Sequence, residues 1–142
     1  MGYIQLQMVD HSVSTSWWKE LMLYFLREGD DLELRCWREE NWEIEQASRY
    51  GNPVEDHYEV SVRGKVTREW MAELLAEEPN DKSIYNKMTK YFTINANHGQ
   101  RSVCSAHYGT EFYVNGATEE DISFFRKVMD PYGEDFSTSV EL

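Results

Sequence analysis

A chain of 142 residues, 41% hydrophobic and 14% aromatic, has the length and the apolar material for one packed core, which argues against disorder. Its 26 acids and 14 bases leave a net charge of −12, which repels phosphate and so speaks against nucleic acid or an anionic membrane as the main partner and for a basic protein. Two cysteines, Cys36 and Cys104, are too few for a disulfide framework, and the longest fully apolar run, Leu21 to Leu26, is far short of a membrane span.

MGYIQLQMVDHS lacks the basic start and long apolar run of a signal peptide, so a cytoplasmic protein with reduced thiols is expected. Tyr3 to Val9 alternates, with Ile4, Leu6 and Met8 on one side, and predicts a first strand. Asp10 to Ser16 is polar and turn-like, and Ser14, Thr15 or Ser16 can cap a helix running from Trp17 to near Gly29. Trp18, Leu21, Met22 and Phe25 form its main stripe. Trp17, Leu23, Tyr24 and Leu26 widen that stripe until the helix is either central to the fold or has a second face that meets something else.

Leu32 to Trp37 alternates, Arg38 to Asn41 suits a turn, and Trp42 to Gln46 alternates back, which predicts a hairpin with an acidic face. Arg35 is placed to offset part of its repulsion. Tyr50-Gly51-Asn52-Pro53 reads as a loop. Tyr58, Val60 and Val62 then share one face of a strand, Thr67 caps a helix, and Trp70, Met71, Leu74 and Leu75 form its stripe before Pro79 ends it. A loop over 80–83 and a short helical piece over 84–89 follow. Tyr91 to Ala96 and Arg101 to Tyr108 read as a second hairpin around Asn97 to Gln100, and Glu111 to Val114 as a further strand ended by Asn115-Gly116. Thr118 with Asp121 three residues on is close to a capping box, and Ile122, Phe125, Val128 and Met129 make the last helical stripe, stopped by Asp130-Pro131. These elements predict one α+β domain over 1–142, a mainly antiparallel sheet built from hairpins with about three helices on one or both faces, and a loose tail from about residue 131.

No spacing carries a reaction with specificity. His98, Cys104 and His107 are the nearest approach to a metal set, but residues three apart in a strand point to opposite faces, so no metal ligand and no cofactor is assigned. A Cys–His pair drawing on His11, His57, His98 or His107 has nothing to mark it, since neither cysteine precedes a helix or sits in a positive setting. The abundant carboxylate pairs lie in turns or helix starts, and the basic residues Arg63, Lys65 and Arg68 near Gly64 form no phosphate loop. No catalytic residue is named.

The expected function is therefore binding. A small acidic protein of the immunity, antitoxin or inhibitor kind would dock on a basic partner through Glu33, Trp37, Glu39, Glu40, Glu43 and Glu45, with Trp37 as an aromatic anchor ringed by charge. One alternative is an enzyme or ligand binder whose site gathers His98, Arg101, His107 and Tyr108. Another is a structural or regulatory subunit that forms a homo-oligomer through the apolar first helix.

Overall fold

Alternation in the strands and capped stripes in the helices build a layered molecule. The computed structural model describes residues 1–9, 15–77 and 87–142. Expectations for His11, Ser14, Pro79, the 80–83 loop and most of the 84–89 piece lie outside those residues.

In chain order the elements are β1 (Gly2–Met8), α1 (Ser16–Phe25), β2 (Asp31–Trp37), α2 (Asn41–Ala47), β3 (Gly51–Asp56), β4 (Glu59–Lys65), α3 (Arg68–Ala76), β5 (Thr93–His98), β6 (Arg101–Ala106), β7 (Glu111–Ala117), α4 (Glu119–Met129), a short 3-10 turn (Asp130–Tyr132) and β8 (Phe136–Glu141). The strands form one eight-stranded sheet in the order β3-β4-β2-β5-β6-β7-β1-β8. Every neighbouring pair is antiparallel. The register carries one apolar row across the sheet: Val62, Leu34, Ile94, Ser105, Phe112 and Leu6 are successive cross-strand neighbours. Trp17, Trp18, Leu21, Met22, Phe25, Trp70, Leu74, Ile122 and Phe125 from the helices are buried in the same core. No described helix is long and apolar enough to cross a membrane.

The starts of α3 and α4 follow their sequence signals. The Thr67 side chain accepts from the Trp70 amide at 3.1 Å, and Thr118 with Asp121 forms a reciprocal capping box. Trp70 and Leu74 are fully buried, whereas Met71 and Leu75 pack at the core margin. Leu74→Ala should cost about 2–5 kcal/mol, measured as a lower denaturation midpoint at unchanged slope. Val60 and Val62 are buried as expected, but Tyr58 is 78% exposed because His57 takes a left-handed conformation (φ +59°) and turns the chain before β4 begins.

Other expectations give way. There are four described helices where about three were expected, because Trp42 to Gln46 belongs to α2 and is not the return strand of a hairpin. Both sides of β2 are already occupied, by β4 and β5, so no edge is left for it. Gly51 to Pro53, read as part of a loop, belong to β3, which pairs with β4 at the sheet edge, where a proline is tolerated. Within the tail expected to be loose, Phe136 to Glu141 pair as β8 with Tyr3 to Met8 of β1. β7 runs through Asn115-Gly116, with the register shift that a left-handed Gly116 (φ +75°) permits. The first helix ends at Phe25 and Thr15 makes no side-chain cap. Its apolar width is spent inward, with Leu23 the exception at 63% exposed.

The side chains on the other face of the sheet are polar and largely half-buried, with Glu33 at its middle. Glu33 accepts from Ser61 Oγ at 2.6 Å, Asn95 Nδ2 at 3.0 Å and Arg35 Nη1 at 3.0 Å. Arg35 also reaches Glu59 at 3.0 Å and Asp56 at 2.7 Å, so it does offset the acids, though those of β3 and β4 and not of a second hairpin strand.

Candidate functional site

Three distant parts of the sequence meet at one end of the sheet. Trp37 closes β2. Phe92 leads into β5, and because β2 and β5 are paired up to Arg35 and Thr93, the next positions bring the two rings together, 4.7 Å between centroids. His107 and Tyr108 form the corner between β6 and β7. The Tyr108 amide donates to the Phe92 carbonyl at 3.0 Å, its carbonyl accepts from the Met88 amide at 2.8 Å, and its ring stands edge-on to Phe92 at 5.2 Å.

The corner is strained. His107, Tyr108 and Gly109 are consecutive left-handed residues, at φ +50°, +59° and +88°. A non-glycine residue there costs on the order of 1–2 kcal/mol. Gly109 is needed twice over: a Cβ would lie 2.6 Å from Met88 Cβ and 2.8 Å from Trp18 Nε1. Backbone of this kind recurs where geometry is held for a purpose.

Between these parts lies a pocket of about 540 Å³, lined among the described residues by Trp37, Phe92, His107, Tyr108 and Thr110. Glu40 stands beside it. Its Oε1 accepts from the Trp37 amide at 2.8 Å and its Oε2 from the Tyr108 hydroxyl at 3.1 Å. Burial raises the Glu40 carboxyl above its ordinary range, and the Trp37 amide and Tyr108 hydroxyl only partly restore it. Glu111 bonds His107 Nδ1 and the Tyr113 hydroxyl. Lys87 Nζ lies 4.2 Å from the centre of the Tyr108 ring.

The two expected residue sets are redistributed. Trp37 from the acidic set lines this pocket with His107 and Tyr108 from the alternative set, and Glu40 stands beside it, bonded to Tyr108. Glu39 is exposed just before α2, Glu43 is half-buried in its first turn and Glu45 is exposed further along it; the leading residue of α2 follows Glu40 directly. Glu33 is not with them. It is one-fifth exposed within the polar sheet face, and although burial opposes its charge, Ser61, Asn95 and Arg35 hold its carboxyl below the ordinary range.

The set His98, Arg101, His107 and Tyr108 is not one site. His98 and Arg101 sit at the opposite end of β6, a strand length of roughly 17–20 Å away. His98 is exposed and 3.8 Å from Asp30. Arg101 is buried against Asp121 at 2.7 Å, and that carboxylate also accepts from the Tyr24 hydroxyl at 2.9 Å. This is a fixture holding α4 to the sheet. Burial pushes the Cys36 thiol up to about 12 and the Cys104 thiol up to about 11, so neither is a ready thiolate nucleophile. Cys104 lies half-buried on the polar face between Asn95 and Tyr113. Among the described residues no three His, Cys, Asp or Glu side chains are grouped to hold a metal ion.

Sequence reasoning missed Phe92, Thr110 and Lys87. Phe92 was placed in a strand pattern, but its role depends on which strand lies beside it, and that is set by pairing across more than fifty residues. The arrangement offers aromatic walls with the half-buried Glu40 carboxylate beside them. Those features suit capture of a positively charged group. No family model matches the chain, and no curated protein or solved structure is similar to it.

Proposed function

We propose that the protein is a small acidic binding module that docks on a basic partner protein through the Trp37 pocket and the acidic start of α2. It would act as an immunity, antitoxin or inhibitor protein does, in a reducing cytoplasm. The observation that supports this most is an aromatic pocket with Glu40 bonded to its Trp37 and Tyr108, next in the chain to the acids Glu39, Glu43 and Glu45, in a chain of net charge −12. Exposed acids steer a basic partner in, and a buried aromatic anchor holds it.

The two roles separate kinetically. Once the partner has been captured at low salt and identified, Glu39→Lys combined with Glu45→Lys should slow association and flatten its dependence on salt. These replace exposed charges only; Glu40 is excluded because it holds Trp37 and Tyr108 in place. Trp37→Ala should mainly speed dissociation, weakening binding by about 2 kcal/mol or more. Stopped-flow and surface-binding kinetics that show neither change would place the docking face elsewhere and end this reading. The pocket volume also lies within the span of ordinary small-molecule sites, so a ligand binder is the second reading, without His98 and Arg101.

A further inference from the structure

The sheet has two outer strands, and they are defended differently. β3 carries Pro53 and the exposed Glu55 and Asp56, a proline and charges of the kind that block edge-to-edge pairing. β8 has neither a proline nor a lysine, and its Ser137-Thr138-Ser139 run is exposed. The Val9 amide donates to the Asp135 carbonyl at 2.8 Å, so Ser137 and Ser139, which alternate from Asp135, turn their backbone groups to β1. Those of Thr138 and Val140 point away from the sheet and meet no backbone partner among the described residues.

Thr138 and Val140 stand opposite Leu6 and Ile4, so their side chains take the side of the sheet that α4 covers. Two adjoining clefts, of about 280 Å³ and about 330 Å³, lie there and share Arg126 and Val140. Phe125, Met129 and Phe136 line the first and Ile122 the second. Idle amides and carbonyls beside such a cleft suit an extended segment added as a strand: main-chain bonds hold it and alternate side chains enter the cleft. Charge narrows the occupant. Asp135 and Glu141 bracket the edge, and Glu119 and Asp130 on the cleft walls outweigh Arg126. A second copy is disfavoured, because antiparallel pairing about Thr138 would set Glu141 opposite the Asp135 of the other copy, between chains of net charge −12.

We propose that the open edge of β8 takes up an extended segment of a partner protein as a ninth strand. The segment carries apolar side chains toward the α4 cleft and lysine or arginine near Asp135 and Glu141. This edge acts without the Trp37 pocket, so either surface can fail alone.

The test uses the full chain. In the free protein the Ser137 and Ser139 amides should resist hydrogen exchange while those of Thr138 and Val140 exchange rapidly. Protection of the latter two overturns the proposal, and sedimentation that shows a dimer would then make a second copy the occupant. The probe is a synthetic peptide of alternating valine and threonine flanked by lysines. It should shift the Thr138 and Val140 amides, slow their exchange and bind less tightly as salt rises. N-methylation of its alternate amides should weaken binding about tenfold in one of the two phases only, the one that faces β8. Thr138→Pro removes an outward donor and no bond to β1, so binding should fall as far while circular dichroism shows the fold intact. A lysine-flanked peptide that leaves both amides unmoved, or that tolerates N-methylation in either phase, overturns the added strand. Equal binding of a glutamate-flanked peptide overturns the basic character of the segment. Binding should survive in Trp37→Ala; its loss there would move the peptide to the pocket and end the proposal.

Discussion

Replacing Asp121 by alanine should destabilise the protein by about 3–5 kcal/mol, one of the two largest losses expected from a single substitution. Its carboxylate accepts from Arg101 at 2.7 Å, the Tyr24 hydroxyl at 2.9 Å and the Thr118 amide at 3.0 Å, while its own amide donates to Thr118 Oγ1 at 3.1 Å. The Arg101 and Asp121 side chains are only 12% and 4% exposed, so alanine would strand a buried guanidinium. Nε and Nη2 of that guanidinium already lack hydrogen-bond partners among the described residues, so Asp121 is its main compensation. The effect has a pH signature. Burial opposes the Asp121 charge, but the Thr118 amide, Arg101 and Tyr24 outweigh it and hold the carboxyl below its ordinary range. A carboxyl with a depressed folded pKa contributes stability that is fully present above its unfolded value, near pH 4, and is lost as pH falls through the folded value. Urea melts of wild type and Asp121→Asn should therefore diverge at neutral pH and converge in acid. A gap that persists unchanged at low pH would show that the carboxylate charge is not what Asp121 contributes.

Trp18→Ala should cost about 3–5 kcal/mol as well, by a different route. Trp18 is fully buried, and its indole Nε1 donates to Ser105 Oγ at 3.1 Å, pairing a hydroxyl that would otherwise sit unsatisfied in the apolar row of the sheet. Alanine leaves both a cavity and that hydroxyl. The cavity would open beneath Gly109, whose Cα side approaches the Trp18 ring and Met88. The left-handed corner at His107 and Tyr108 would lose its support. Ligand binding at the pocket should accordingly fall even at temperatures where the variant is folded, which calorimetry and fluorescence titration on one sample can separate. Trp18→Phe, which keeps most of the volume, should restore most of the stability.

How legible such features are in a sequence depends on what fixes them. α4 could be read because its signals are local: Thr118 and Asp121 are three residues apart and Ile122, Phe125, Val128 and Met129 share a stripe. The same holds for Thr67 and the Trp70–Leu74 stripe. α2 was misread because Trp42, Ile44 and Gln46 satisfy a period of two as well as they satisfy a short helix, and only the pairing of β2 with β4 and β5 excludes the strand. β3 was hidden by Pro53, which an edge strand tolerates. β8 was hidden by its serines and threonine, since an outer strand needs few apolar residues. In the site, Trp37, Glu40, His107 and Tyr108 were all singled out, yet in two separate groups. What joins them is the sheet order, which sets β5 beside β2 and leaves the β6–β7 corner to close over Phe92. No local pattern encodes that neighbourhood.

The place of β1 in the sheet has a consequence for synthesis. Of the eight strands of this sheet it comes first in the chain, and both of its hydrogen-bonding neighbours, β7 and β8, come from residues 111–141. At the usual pace of translation Ile4, Leu6 and Met8 must wait about 5–20 s for a native partner, with their apolar edge unsatisfied throughout. The inner strands β2, β4, β5 and β6 pair with one another from segments translated earlier, so they are able to assemble first. The final event is then insertion of the oldest strand between the two newest. Folding of this chain should be slow and sensitive to chaperone supply in a way that its local helix signals do not suggest.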